Sequence, residues 1–123
     1  MKDYASKLFV VEEKHTAAAM GSGDLAVLAT PALVAMVENT AKESIQNLVD
    51  PGQTTVGIEI QMNHSAATAL GKKVLCKVNL VQQEKPVLVF QFEAMVEDRL
   101  IASGIHKRAI VETEKFMSKL SCR

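Results

Sequence analysis

The sequence has few aromatic residues and no excess charge of either sign. It contains no tryptophan, one tyrosine and four phenylalanines, and its 14 basic residues are balanced by 14 acidic ones. Recognition of a nucleic-acid backbone needs clustered Lys and Arg, so this balance argues against nucleic acid as the main partner. No apolar run approaches the roughly 18 residues of a membrane-spanning helix, which argues against a membrane protein.

Cysteine is also scarce. Cys76 and Cys122 are far apart, and neither belongs to a Cys-x-x-Cys pair or to a Cys/His ligand spacing, so the sequence predicts neither a disulfide nor a metal site. The first residues, MKDYASKLFVVEEKH, place acids directly after a short apolar run and contain no small-residue cleavage pattern. We therefore expect no signal peptide and a cytoplasmic location.

The length and composition are those of a small globular protein. A chain of 123 residues with 48% hydrophobic residues is long enough for one core but not for two. Neither an internal repeat nor a linker is visible. We expect residues 1–123 to form a single domain.

The stretch from Ala29 to Leu48 predicts one long helix. Thr30 suits the N-cap and Pro31 suits the first helical position. Apolar residues at three- and four-residue spacing predict a buried stripe; they are Leu33, Val34, Val37, Ala41, Ile45 and Leu48. Glu38 falls on the edge of this stripe, where a carboxylate must be paired, protonated or used in chemistry.

The rest of the chain has the pattern of strands. Lys7–Thr16 begins as a strand, and Ala17–Ala29, with its GSG triplet, predicts a flexible loop. After Asp50–Gly52 the pattern alternates with a period of two and predicts four strands: Val56–Asn63, Val74–Gln82, Val87–Glu97 and Leu100–Thr113. In the first of them the predicted buried face carries Val56, Ile58, Ile60 and Met62.

One apolar helix followed by an antiparallel meander predicts an α+β fold in which the sheet wraps the helix. Long apolar edge strands favour pairing with a second copy, so we expect a homodimer.

Several side chains could carry chemistry, and each has a structural alternative. Glu38 could be a general base or a nucleophile, or a carboxylate that faces a Lys or Arg. Thr30, two turns earlier on the same side of the helix, could orient Glu38 or a bound carbonyl, or simply cap the helix. His64 follows a strand end and could be functional or a solvated loop residue. His106 and Arg108 share one face of the last strand, where they could bind an anion, form a cross-strand salt bridge or contact a second subunit.

Taken together and in order, several short motifs resemble the hotdog-fold acyl-CoA thioesterases, and within them the fluoroacetyl-CoA thioesterase-like branch. The motifs are Thr30-Pro31 with Glu38, then Gly57, then NHSAAT at 63–68, then SGIHKR at 103–108. The resemblance covers nearly the whole chain. It implies a hotdog fold, in which an antiparallel sheet wraps one long central helix, and a homodimer with the active site at the subunit interface.

The resemblance also implies roles for particular residues. Thr30, Glu38 and His64 would be catalytic, and Gly57 and Arg108 would bind substrate. Glu38 would attack the thioester carbonyl or activate water, while His64 would supply a proton or polarise the carbonyl. Gly57, which has no Cβ, would let its backbone approach that carbonyl. The partner would be an acyl-CoA substrate, and no metal or redox cofactor would be needed.

One departure from this branch concerns the residues before the helix. The fluoroacetyl-specific branch has aromatic residues there, whereas Met20–Leu28 contains none. We therefore expect a small or medium acyl group, without a preference for fluoroacetyl-CoA over acetyl-CoA. Two alternatives stay open: a hotdog hydratase or dehydratase, against which the Thr30–Glu38 pairing argues, and a non-catalytic acyl-CoA-binding or dimerisation module.

Overall fold

The computed structural model describes residues 4–121, in which one antiparallel sheet wraps a long helix. In chain order the elements are β1 (Ala5–Val10), α1 (Ala17–Met20), α2 (Thr30–Ser44), β2 (Gln53–His64), β3 (Lys73–Glu84), β4 (Val87–Val96), β5 (Arg99–Glu112) and α3 (Thr113–Ser121). The sheet has the strand order β1-β3-β4-β5-β2, so β1 and β2 are its edges. The predicted α+β architecture is confirmed. Among the described residues, no helix is long and apolar enough to cross a membrane.

Helix α2 is held by the apolar stripe that its sequence predicts. Leu33, Val37 and Ala41 are completely buried, and Ile45 just beyond the helix is almost so. A buried leucine or valine contributes about 1.5–3 kcal/mol relative to an exposed one, which makes this stripe the main attachment of the helix to the sheet. The regular helix ends at Ser44, earlier than predicted, and residues Gln46–Leu48 form a 3-10 turn.

The start of α2 differs from the prediction. Ala29, and not Thr30, is the N-cap residue, because the Ala29 carbonyl accepts the N–H of Leu33 at 3.0 Å. Pro31 consequently occupies the second helical position. The Thr30 hydroxyl makes no capping bond and turns instead toward a side chain from β2.

Strand β2 contains a bulge, and the predicted alternation of its side chains is wrong at that point. Gly57 pairs with Arg108 of β5 and Glu59 with Lys107, so Ile58 is the extra residue. A bulge moves the following side chains to the opposite face relative to a regular strand. Thr55 and Gly57 therefore face the helix before the bulge, Ile60 and Met62 pack on the core after it, and Ile58 is 52% exposed.

Strands β3 and β4 agree with the predicted alternation. Their buried side chains form the floor of the core beneath α2; they are Val74, Cys76, Val78, Leu88, Phe90, Phe92 and Ala94. Burial raises the pKa of the Cys76 thiol to about 12, so it stays protonated and unreactive. Cys122 lies outside the described residues.

The predicted loop Ala17–Ala29 contains one helical turn, α1, and a 3-10 turn at Glu13–His15 precedes it. The Thr16 hydroxyl accepts the Ala19 N–H at 3.2 Å at the start of α1, and Gly21 ends the turn with φ +75°. Isolated bridges from Thr16 to Leu28 and from Val27 to Ala69 fix the return of the chain toward α2.

Two glycines that face the helix make a matched test of this packing. A Cβ at Gly104 would collide with the backbone carbonyl oxygen of Gln61 and lie 2.9 Å from the Phe92 ring. A Cβ at Gly57 would meet side chains and no backbone: the end of Glu38 at 2.6 Å, His106 Cε1 at 3.3 Å and Arg108 Nη1 at 3.5 Å. We expect Gly104→Ala to lower the free energy of unfolding by at least about 2 kcal/mol and Gly57→Ala by less than about 1 kcal/mol. Urea unfolding of both variants measures this; equal losses would contradict it.

Candidate functional site

Polar side chains from α2 and β2 meet at two places. At the start of α2, Thr30 meets His64, which ends β2; we call these two residues the Thr30–His64 pair. Two turns farther along α2, Glu38 lies beside Gly57 and close to Arg108 and His106 of β5; with Thr55 these residues form what we call the Glu38 cluster. All five residues predicted for the site belong to one or other of these groups.

The Thr30–His64 pair is a hydroxyl and an imidazole in hydrogen-bond contact. Thr30 Oγ1 and His64 Nδ1 are 2.8 Å apart, and His64 Nε2 is buried without a partner among the described residues. The pair borders a cleft of about 330 Å³, lined largely by small side chains such as Ala17, Ala29 and Ala66. His64 is half-buried, so it is not the solvated loop histidine that the alternative proposed. A hydroxyl bonded to an imidazole is an arrangement that can move a proton.

The Glu38 cluster is built around Arg108, whose side chain is 6% exposed. The Arg108 guanidinium donates from Nε to Thr55 Oγ1 at 2.9 Å and from Nη2 to the Thr55 carbonyl at 3.1 Å. Its Nη1 lies 3.2 Å from His106 Nε2. A buried guanidinium needs such partners because an unpaired charge in the interior is very costly. The bulge in β2 provides the two Thr55 contacts by turning this residue inward.

His106 is completely buried and is neutral in this arrangement. Its Nδ1 lies 2.9 Å from the Glu59 carbonyl oxygen, which can only accept, so Nδ1 carries the proton and Nε2 accepts from Arg108. The ring stacks on Phe90, with centroids 6.1 Å apart. Burial lowers the pKa of His106; the bond to the Glu59 carbonyl opposes this, and the positive charge of Arg108 adds to it.

Glu38 is half-buried, and its carboxylate forms no hydrogen bond or ion pair within residues 4–121. The alternative of a structural carboxylate capped by a neighbour therefore has no direct bond to support it among these residues. The Glu38 charge nevertheless acts at a distance. Burial lowers the pKa of the Arg108 guanidinium, and the negative charge of Glu38 partly opposes that shift. Glu38 thus lies beside a cation without being bound to it.

His106 and Arg108 lie inside the sheet and bond to each other, to Thr55 and to the Glu59 carbonyl. Neither forms an ion pair within residues 4–121, so the cross-strand salt bridge is not what these residues form. Thr55 is the member of the cluster that sequence reasoning missed. In the sequence, only its position two residues before Gly57 could have suggested Thr55. The bulge that follows at Ile58 has no local sequence signal.

No metal site accompanies these groups in the part of the chain that the structure describes. No three or more His, Cys, Asp or Glu side chains between residues 4 and 121 are close enough together to hold a metal ion. The groups available to a ligand are therefore the hydroxyl and imidazole of the Thr30–His64 pair, the Glu38 carboxylate, and backbone at Gly57.

Within one chain the two groups do not meet. Thr30 and Glu38 are eight residues apart on α2, or about 12 Å along the helix axis at 1.5 Å per residue. His64 ends β2 and Gly57 lies near its middle, about 20 Å away at roughly 3.3 Å per residue when the bulged Ile58 is not counted. Within one chain, a single carbonyl group of a ligand could therefore not contact both groups.

Comparison with known proteins shows a consistent set of relatives. The family described as fluoroacetyl-CoA-specific thioesterase matches residues 11–114. The fluoroacetyl-CoA thioesterase of Streptantibioticus cattleyicolor is 31% identical over 94 residues, which are 76% of this chain and 68% of that protein. A solved structure of a fluoroacetyl-CoA thioesterase is 26% identical and covers 98% of this chain and 94% of its own, with a TM-score of 0.93. A hot-dog-like protein from Thermanaerovibrio acidaminovorans, 20% identical with a TM-score of 0.86, covers 95% of this chain and 87% of its own. The predicted hotdog fold is confirmed.

The Arg108–Thr55 contacts predict how the cluster contributes to stability. Thr55→Val removes the hydroxyl that accepts from Arg108 Nε and leaves a buried charged donor without that partner, so we expect a loss of about 1.5–3 kcal/mol in the free energy of unfolding. Thr40→Val is the control, because the similarly buried Thr40 hydroxyl bonds to an uncharged group, the Met36 carbonyl of its own helix, at 2.8 Å. Equal losses in urea unfolding would show that Arg108 does not depend on Thr55.

Proposed function

Because this chain belongs to the fluoroacetyl-CoA-specific thioesterase family, a family of thioester hydrolases, we propose that it hydrolyses an acyl-CoA thioester to the free acid and CoA. The observation that carries the proposal is the unpaired, half-buried Glu38 carboxylate next to Gly57, on the same helix that presents the Thr30–His64 pair. Hydrolysis of a thioester needs a nucleophile or an activated water, and donors for the oxyanion that develops.

Each group suits one part of that reaction. Glu38, free of direct partners, acts as the base that activates water or as the nucleophile itself. The Thr30–His64 pair donates a proton or a hydrogen bond at the thioester. Gly57 leaves room for the reacting carbonyl because no side chain separates its backbone from Glu38. Arg108, which the resemblance assigns to substrate binding, is buried in the sheet with its donors bonded to Thr55 and His106, so its role here is that of a positive charge behind Glu38.

The site is complete only in a homodimer. Strand β2 is an edge strand and can pair antiparallel with the β2 of a second copy. Opposite residues in such a pair face the same side of the sheet, so the inward residues of one copy must meet those of the other. With Ile58 as the extra residue and the two-fold axis near Gln61, His64 lies opposite the partner's Gly57. The Thr30–His64 pair of one subunit then adjoins the partner's Glu38.

The acyl group is small or medium. The cleft beside the Thr30–His64 pair, at about 330 Å³, is at the lower end of the range of small-molecule sites. The preceding segment, Met20–Leu28, contributes no aromatic side chain that could close over an acyl group. We therefore expect no preference for fluoroacetyl-CoA over acetyl-CoA.

Thiol release from a panel of acyl-CoAs, followed with a thiol-reactive dye, tests the activity. We expect turnover by the wild type and a loss of at least about 100-fold in kcat for Glu38→Ala, since general base or nucleophilic groups contribute on this scale. Glu43→Ala is the matched control: Glu43 is on the same helix but is exposed and paired with Lys7 at 2.8 Å.

The panel also separates the alternatives. Wild-type turnover that survives in Glu38→Ala would remove Glu38 from the reaction, and a large preference for fluoroacetyl-CoA would contradict the proposed acyl specificity. No turnover on any acyl-CoA, with ligand binding retained, would favour the non-catalytic binding module instead.

Mixing two inactive variants tests the shared site. In a dimer of one Glu38→Ala chain and one His64→Ala chain, one of the two sites would contain both wild-type residues. We expect about a quarter of wild-type turnover after random subunit exchange, since half of the dimers would be mixed and half of their sites intact. Activity that stays at the level of the separate variants, or a monomer by size-exclusion chromatography with light scattering, would contradict the dimeric site.

A further inference from the structure

His106 has no place in the reaction described above, yet it is the most completely enclosed polar side chain of the Glu38 cluster. It is 0% exposed, stacks on Phe90, and uses both ring nitrogens in hydrogen bonds. A hydrophobic side chain of similar size would fill this space without the need to satisfy two polar atoms. Packing alone therefore does not account for an imidazole at this position.

The two nitrogens of His106 have different tasks. Nδ1 donates to the Glu59 carbonyl at the bulge of β2, which is a contact to the backbone and fixes the ring. Nε2 accepts from Arg108 Nη1 at 3.2 Å, which is a contact to the only cation of the cluster. The first bond secures which tautomer is present, and the second acts on Arg108.

Arg108 Nη1 is also the guanidinium nitrogen that lies toward Glu38. The position of a Cβ on Gly57 would be 3.5 Å from Nη1 and 2.6 Å from Glu38 Oε2, so both atoms border the same small space. They form no direct ion pair, although opposite charges so close together attract strongly in a partly buried site. The hydrogen bond from Nη1 to His106 Nε2 is the contact that can hold this nitrogen away from Glu38.

We propose that His106 is a positioning residue that, by accepting the Nη1 proton of Arg108 in a hydrogen bond, keeps the guanidinium beside Glu38 but out of direct contact with it. The inference rests on the proposed role of Glu38 as base or nucleophile. A carboxylate that is bonded directly to a guanidinium has lost the lone pairs and the freedom that attack or proton transfer requires. By holding Nη1, His106 prevents that direct bond and leaves the positive charge of Arg108 nearby.

Two substitutions separate the two nitrogens. The amide of His106→Asn reaches the position of Nδ1 and can keep the bond to Glu59, but it cannot reach Arg108. The amide of His106→Gln extends to the position of Nε2 and can accept from Arg108, but it gives up Glu59. A role confined to packing or to the backbone contact would make the asparagine variant the milder change. A positioning role would make it the more harmful one for catalysis.

Steady-state kinetics and crystal structures of both variants test the proposal. For His106→Asn we expect kcat to fall at least about 10-fold with KM within about 2-fold, because the transition state rather than ground-state binding is affected. For His106→Gln we expect kcat within about 3-fold of the wild type. The crystal structures should show an Arg108–Glu38 nitrogen–oxygen distance below about 4 Å, the limit for an ion pair, in the asparagine variant but not in the glutamine variant.

The structures keep this test separate from the test of the activity itself. An open gap between Arg108 and Glu38 in the asparagine variant would overturn the positioning role even if the protein is an active thioesterase. An asparagine variant with wild-type kcat, or losses of kcat in both variants that follow their losses in thermal stability, would overturn it as well. Absence of turnover in the wild type would overturn the proposed function alone, since closure of the gap is observable without substrate.

Discussion

The Arg108 guanidinium is a permanent positive charge inside the sheet, and the structure around it is arranged to satisfy that charge. Arg108 donates two hydrogen bonds to Thr55 and one to His106. Thr55 faces Arg108 only because the bulge at Ile58 interrupts the regular alternation of β2. The bulge therefore serves the arginine as well as the course of the strand. The bulge also leaves Gly57 facing the helix. Because Gly57 has no side chain, the space next to Glu38 stays open.

The distribution of polar groups along α2 and β2 explains why a thioesterase of this size would be built as a dimer. A single chain places a proton-transferring pair at one end of β2 and a free carboxylate near its middle, too far apart to act on one carbonyl. In the proposed dimer, antiparallel pairing of two identical strands would bring one end of β2 beside the middle of the other. The same helix and edge strand would then complete two sites, and each chain would need only half of the reacting groups within its own core.

Much of the fold could be predicted from the sequence, and the failures have a common cause. The stripe from Leu33 to Ile45 and the alternation in β3 and β4 follow from local periodicity, and so did the position of Glu38 at the edge of the stripe. The predicted start of α2 was wrong because the partner of the Thr30 hydroxyl is 34 residues away. The predicted buried face of β2 was wrong because its bulge lies in the pairing with β5, which is distant in the sequence. Thr30 and His64 were candidates from their places at a helix start and a strand end, whereas their catalytic roles, and the choice of Gly57, came from resemblance to a family. Spacing alone could not bring them toward Glu38, since this requires the pairing of β2 with β5.

The bulge at Ile58 also bears on fidelity of assembly. A regular edge strand can slide by two residues along a partner and still present its apolar side chains to the same face, which leaves several pairings of similar energy and exposes the edge to unintended partners. One extra residue removes that freedom, because only a single alignment keeps the inward side chains matched on both sides of the irregularity. In the proposed dimer, the bulge whose inward Thr55 binds Arg108 would thus also fix the register in which the two edge strands pair.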